Sequence, residues 1–252
     1  MTRLLEEKLI AHILEAALDA GADFAEIFAE DTAANTVRMT DAQVEDATYA
    51  RKRGVGIRVA RDLTQSYAYT ADLRPAALEE TLHAALEGLR TKTQGMRVQP
   101  MQDVRKVARC IQKPFDTVTN ARRVEILRDM SRAAAAVDEK IVQTSASYID
   151  VMQRVWIANS LGVRAFDARP RTRVVIQAVA SNGTDTQTGA ESPGFGTDFR
   201  AFDTFDGAMY ARRAADVALT MLRAPECPAG MRPVVIGNGF GGVIFHEACA
   251  HA

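Results

Sequence analysis

The residues best suited to chemistry stand together near the end of the sequence, in His246-Glu247-Ala248-Cys249-Ala250-His251, an H-E-x-x-x-H string. Only four histidines occur in the 252 residues, and two of them fall here. Two neutral imidazoles beside a carboxylate match the needs of a catalytic zinc site. The histidines supply nitrogen ligands, and the acid next to the first can take a proton from metal-bound water. The metal lowers the pKa of that water and polarises a peptide carbonyl, and Glu247 would pass the proton to the leaving amine. His246 and His251 are therefore candidate ligands and Glu247 the candidate acid/base. The spacing sets a condition. Histidines four apart are about 40° offset on a 3.6-residue helix, but five apart they are about 140° offset and cannot share a metal. The extra residue must be absorbed by a π-bulge around Ala248 to Ala250, or by the helix ending there.

The string follows Arg232 to Ile236, which reads as a buried strand, and the turn Gly237-Asn238-Gly239-Phe240-Gly241-Gly242. The turn also fits G-x-G-x-x-G. A dinucleotide fingerprint requires an acidic residue roughly 20 positions further on and a second parallel strand. Neither falls inside the sequence, and the preceding residues show no βαβ alternation. Close approach of backbone to a substrate or a neighbouring strand explains the glycines better. Gly239, Gly241 and Gly242 are the candidate substrate-binding positions, suited to an extended peptide that adds to a sheet edge.

The other polar residues read as structural. Cys249 is expected to be a small packed side chain. His12 and His83 fall on the surfaces of two helices. Arg164, Arg169, Arg171 and Arg173 alternate along a strand edge as a solvated face, and Arg51-Lys52-Arg53 reads the same way.

The elements that must position the string begin with a helix. Leu4, Leu5, Leu9, Ile10, Ile13, Leu14, Ala17 and Leu18 recur at helical spacing, and Gly21 stands at the cap. Five short strand-like runs follow (24–29, 36–40, 43–48, 55–60 and 65–70), with Gly54 and Gly56 at a bulge or close approach. A second helix over 75–89 has Pro75 in its first turn. A polar linker over 93–114 leads to a helix capped by Asn120 and running to Val137, then to strands over 141–149, 152–159 and 171–181. Residues 184–198 read as a mobile loop, and a helix over 202–223 closes this part. The fold class is α+β: an N-terminal helix/antiparallel-sheet domain over 1–92, a central α+β domain over 93–225, and the start of a β-rich C-terminal domain over 226–252. Only ten residues follow Gly242, so that last domain reads as truncated.

Composition sets the class. There are 31 basic and 32 acidic side chains, a net charge of -1, and 47% hydrophobic residues. The charge argues against nucleic-acid binding by bulk electrostatics, and no apolar run approaches the roughly 20 residues that span a bilayer. Glu6, Glu7 and Lys8 interrupt what would be a signal peptide. Three scattered cysteines point to a reducing compartment, so the expected location is cytoplasmic.

The string GNGFGGVIFHEACAHA resembles the zinc-site region of the TldD/PmbA family of metallopeptidases. GADFAEIFAED, followed by GVGIRVARDLTQSYAYTADL, is similar to the N-terminal domain of that family. The likeness extends over essentially the whole chain. It implies a TldD-type zinc peptidase that cleaves unfolded proteins or peptides, paired with a homologous TldE/PmbA subunit or with itself. On this likeness His246 and His251 match the zinc ligands and Glu247 the catalytic acid. The third protein ligand, a cysteine in the family, is expected beyond residue 252, and the 252 residues alone are expected to be inactive. Ala250 stands where relatives commonly carry glycine. The PmbA/TldE branch shares the fold without these ligands, so the alternative is a non-catalytic interaction module.

Overall fold

The computed structural model describes residues 4–89, 97–104 and 110–251. They form two separate units, Met1–Leu222 and Arg223–Ala252. The first is a mixed α+β body built on one sheet, in the class the sequence predicts.

Two long hairpins make the frame. Strands β1 (Phe24–Thr40) and β2 (Gln43–Arg61) pair through a tight turn at Asp41-Ala42, where both residues have positive φ. This is the backbone twist that two-residue hairpins favour. Strands β5 (Ile141–Asn159) and β6 (Val163–Ser181) form the second hairpin. β1 joins them by pairing antiparallel with β5 from Glu26↔Asn159 to Thr40↔Ser145. Strand β3 (Thr64–Thr70) extends the β2 edge. On the other side β6 carries β4 (Gln102–Asp103, parallel), β7 (Thr186–Glu191) and β8 (Gly194–Phe195). The ranges 1–92 and 93–225 thus both supply strands to one continuous sheet.

Helices cover one face at its two ends. On β1, Ala25, Ile27 and Ala29 belong to one core cluster and Val37 and Met39 to another, and all five are odd-numbered residues on the same face. Helices α1 (Glu7–Asp19) and α2 (Pro75–Glu87) pack on the first cluster through Ile13, Leu14, Leu18, Leu78 and Leu82. Helices α3 (Asn120–Ala135) and α4 (Gly207–Arg223) pack on the second through Leu127, Met130, Ala214 and Ala218. α1 ends as its sequence predicts. Gly21 has φ +94, the N–H of Gly21 donates to the carbonyl of Leu18, and that of Ala22 to Ala17, which closes the paired C-terminal bonds of a Schellman motif.

Several expectations change. The first four of the five short strands before residue 71 merge into two long ones, β1 and β2, the fifth stands as β3, and 141–149 and 152–159 are one strand. Polar residues in mid-strand, such as Asp31, Asn35, Arg51 and Asp150, interrupted the apolar pattern without interrupting the ladder. Gly56 marks a close approach and not a bulge, since a Cβ there would stand 2.0 Å from the Tyr67 hydroxyl oxygen. Thr119, not Asn120, caps α3: its Oγ1 accepts from the Arg122 N–H at 3.3 Å. The stretch 184–198, expected as a mobile loop, contains β7 and β8. Its small residues suit a tight fit, because a Cβ on Gly189 would stand 2.1 Å from the Ala214 carbonyl oxygen of α4. α4 begins at Gly207, after a 3₁₀ turn over Phe199–Asp203. Of the linker expected over 93–114, residues 93–96 and 105–109 lie outside the described residues. No helix among the described residues is long and apolar enough to cross a membrane.

The second unit is short. Residues 232–236, expected as a buried strand, form no ladder among the described residues, and Val234 and Val235 are exposed. A strand needs a hydrogen-bonding partner, and the described residues supply none here.

Candidate metal centre

Beyond that extended segment the second unit turns sharply. Gly239–Gly242 form a 3₁₀ turn, Val243–Phe245 a single helical turn (α5), and His246–Ala250 a π-helical turn. Gly239 has φ +81, a conformation that favours glycine. A Cβ on Gly242 would meet open space, and one on Gly241 would stand 2.8 Å from Cγ2 of Ile236.

The π-turn satisfies the spacing condition. Its i→i+5 closure brings the fifth residue back over the first. The Nε2 atoms of His246 and His251 lie 2.8 Å apart, with ring planes nearly perpendicular at 86°. The Glu247 carboxylate completes a group whose ligand atoms all lie within 4.8 Å of one another. Two nitrogens on a tetrahedral zinc, with bonds of about 2.0–2.1 Å, stand roughly 3.3–3.4 Å apart. The pair needs about half an ångström of opening, so the donor set fits a zinc-type ion. All three side chains are exposed. Cys249, expected to be packed, is exposed and stands outside this group.

The first unit holds a polar cleft that the sequence reading passed over. It lies between the two helix pairs, over the middle of the sheet, with a volume of about 880 Å³. Asp31 of β1 sits at its floor, 6% exposed. Arg51 of β2 grips it with two hydrogen bonds, Nε to Oδ1 at 2.8 Å and Nη2 to Oδ2 at 2.5 Å. The bonds from Arg51 hold the Asp31 carboxyl below the usual carboxylate range, although burial pushes the other way. Arg51 is therefore more than part of a solvated face. Behind the cleft Asp150 is fully buried and carries its own partners. It accepts from Arg123 Nε at 2.9 Å, from the Tyr148 hydroxyl at 2.9 Å and from Asn35 Nδ2 at 2.8 Å. Burial, then the Asp150 charge, pushes the Tyr148 phenol far above its ordinary range.

The remaining candidates are local. Arg164 bonds Asp103 and Glu7, Arg169 bonds Asp167, and Arg173 donates to Ser192 Oγ at 2.7 Å. His12 is exposed and contacts Glu79 of α2 at 3.3 Å, and His83 is exposed.

Comparison with known proteins decides the family. Residues 25–88 match the model of the PmbA/TldA metallopeptidase domain 1, and residues 113–222 that of the PmbA/TldA metallopeptidase central domain. The chain belongs to the PmbA/TldD family. It is 29% identical over 238 residues to a protein of Haemophilus influenzae named a metalloprotease TldD homolog, covering 91% of this chain and 49% of that one. It is also 29% identical to a metalloprotease of Methanothermobacter thermautotrophicus, covering 91% and 50%. The chain spans about half the length of the curated relatives it matches. A crystal structure from Thermotoga maritima, labelled a candidate modulator of DNA gyrase, superposes with a TM-score of 0.72 at 19% identity, covering 89% of this chain and 50% of that one. TldE of Thermococcus kodakarensis superposes at 0.62 and 11% identity, covering 84% and 47%. These two likenesses concern the fold.

Proposed function

We propose that this PmbA/TldD chain carries part of the active site of a TldD-type, zinc-dependent metallopeptidase acting on unfolded proteins or peptides. One observation carries the reading: the π-turn that brings the His246 and His251 nitrogens to 2.8 Å beside Glu247. His246 and His251 would hold the ion, with a third protein ligand beyond residue 252. Zinc, when bound, supplies an acidified water and polarises a carbonyl. Glu247 takes a proton at its carboxylate and returns it to the departing amine nitrogen. Gly239 and Gly242 leave the backbone before the ligands open, and Gly241, close against Ile236, completes the turn, which suits an extended peptide held by main-chain hydrogen bonds. In this reading residues 226–252 open a third, metal-bearing domain, following an N-terminal domain over 1–92 and a central one over 93–225. The partner is a TldE/PmbA-like subunit or a second copy. The three exposed free cysteines suit a reducing, cytoplasmic setting.

The test is Glu247→Gln in the native peptidase carrying this chain. The amide matches the carboxylate in size but cannot accept the proton. Zinc content should stay unchanged while hydrolysis of an unstructured peptide falls by about a hundredfold or more. Near-normal turnover would place the base elsewhere, and loss of zinc would make Glu247 a ligand.

A further inference from the structure

The cleft in the first unit has a charge pattern that its own residues leave incomplete. In the strand register Asp31 stands directly between Arg53 of β2 and Arg154 of β5. Opposed residues of antiparallel strands share a face, so both guanidinium groups rise from the same cleft floor as the carboxylate. Arg51, two residues further along β2 and so on the same face, takes both oxygens of Asp31. Three arginines thus surround one carboxylate, and only one of them bonds it. Arg53 and Arg154 act on Asp31 through their charge, yet no hydrogen bond or ion pair to either is found among the described residues. Two cations remain at the floor of a concave site, where field lines concentrate and anions are favoured.

The rest of the lining narrows the ligand. Met152 and the partly buried Trp156 continue the Arg154 row along β5, and Tyr49 continues the arginine row along β2. These are apolar and aromatic surfaces beside the cations. Asp116 on the wall works against a dense polyanion, while Asp150 is neutralised by Arg123. A volume of about 880 Å³ is at the upper end of ligand pockets, roughly 300–1,000 Å³. We propose that this cleft binds an extended acidic peptide, with Arg53 and Arg154 receiving its carboxylates and Trp156 and the exposed Tyr49 its apolar side chains. The inference stands on the first unit alone and does not depend on the metal centre. Arginine suits the task because its planar fork donates two parallel bonds to a carboxylate.

The experiment is calorimetric titration of the 252-residue chain in the presence of a chelator, so that binding is read without turnover. The probe is acetyl-Ala-Phe-Leu-Glu-Glu with a free C-terminus, set against its Gln-Gln amide. The acidic peptide should bind at least about tenfold more tightly, as loss of charge-assisted bonds implies, and the preference should shrink as salt rises. Arg53→Gln with Arg154→Gln should abolish that preference with an unchanged melting temperature, because neither side chain holds the fold. Arg171→Gln, on the opposite face of the sheet, should leave it intact. Equal binding of the two peptides would overturn the proposal without any variant. So would a preference that survives the double substitution. Inorganic phosphate should compete only weakly, and phosphate that binds as tightly as the peptide would reassign the cleft to a free oxyanion and overturn the peptide source.

Discussion

Replacing Asp150 with alanine should destabilise the first unit more than any change to an exposed ion pair. Asp150 is fully buried and Arg123 is 2% exposed. Arg123 donates to Asp150 through Nε at 2.9 Å, and its Nη2 lies 2.8 Å from the same carboxylate oxygen. Its other bonds go to the carbonyls of Val118 and Phe115 at 2.7 and 2.8 Å and to Asn120 Oδ1 at 3.3 Å, so that Arg123 links the turn before α3, α3 itself and β5. Alanine at 150 would leave a buried guanidinium without its counter-charge, and the Tyr148 hydroxyl and Asn35 amide without their acceptor. Breaking one side of a buried pair costs about 3–5 kcal/mol. A domain holds only about 5–15 kcal/mol in all, so the melting temperature should drop by roughly 6–20 °C. Arg122→Ala is the internal comparison. Its side chain and that of its partner Glu125 are 49% and 57% exposed, solvent screens the pair, and the loss should be about 1 kcal/mol or less. Urea unfolding followed by far-ultraviolet circular dichroism measures both. Equal losses in the two variants would refute the reasoning, because burial would then not be what sets the cost. Arg123→Met with Asp150→Leu should recover part of the loss, since no orphaned charge remains.

Two further outcomes follow from the packing. Asp198 is fully buried, which pushes its carboxyl up, but hydrogen bonds from the Arg200 side chain and from the backbone N–H groups of Gln112, Arg200 and Lys113 prevail and hold it below the usual range. A carboxylate depressed in the fold stabilises it above the unfolded pKa of about 3.9 and loses that contribution as pH falls through the folded value. Stability should therefore decline below about pH 4, and Asp198→Asn should lower it at neutral pH while flattening the acid decline. An unchanged slope would assign the decline to other groups. Gly189→Ala should cost about 1–3 kcal/mol in urea unfolding, because the new methyl would meet the Ala214 carbonyl and the Ala218 nitrogen, both backbone atoms of α4. A neutral result would mean that α4 can lift off β7 freely.

What was legible in the sequence depended on whether an interaction is local. The helical stripe from Leu4 to Leu18 and the glycine after it gave α1, and Pro75 gave the start of α2, since caps and periodicity involve only neighbouring residues. The π-turn was one of two solutions legible for the same reason, as a five-residue spacing that must bring two histidines together leaves only a π-bulge or a helix end. The strand ends were visible through alternation, but their middles were not. Asp31, Asn35, Arg51 and Arg53 look like loop residues in a linear reading. They are strand residues because β1 pairs on both sides, with β2 and with β5. The residue that faces Arg154 is more than a hundred positions away from it in the chain, and no local pattern encodes that pairing. The order of residues 184–198 is equally non-local, because their regularity comes from the β6 edge.

The same polar interruptions explain where the cleft lies. Helix pairs cover the two ends of one face, and the apolar alternation of β1 runs under each pair and stops between them. Continuing that alternation through positions 31 and 35 would put an apolar patch on an uncovered stretch of sheet, with the association hazard such patches carry. Charged residues avoid that, but a solvated row of unmatched charges would serve as well. The arrangement found is more specific. Asp31 is nearly buried and bound by Arg51, Asp150 is sealed behind by Arg123, and Arg53 and Arg154 remain uncommitted on either side of the floor. A buried ion pair contributes little to stability that apolar side chains could not match. What the Arg123–Asp150 pair adds is a fixed, neutralised back wall. With that wall neutral, the anion-seeking character of the cleft rests on Arg53 and Arg154 alone.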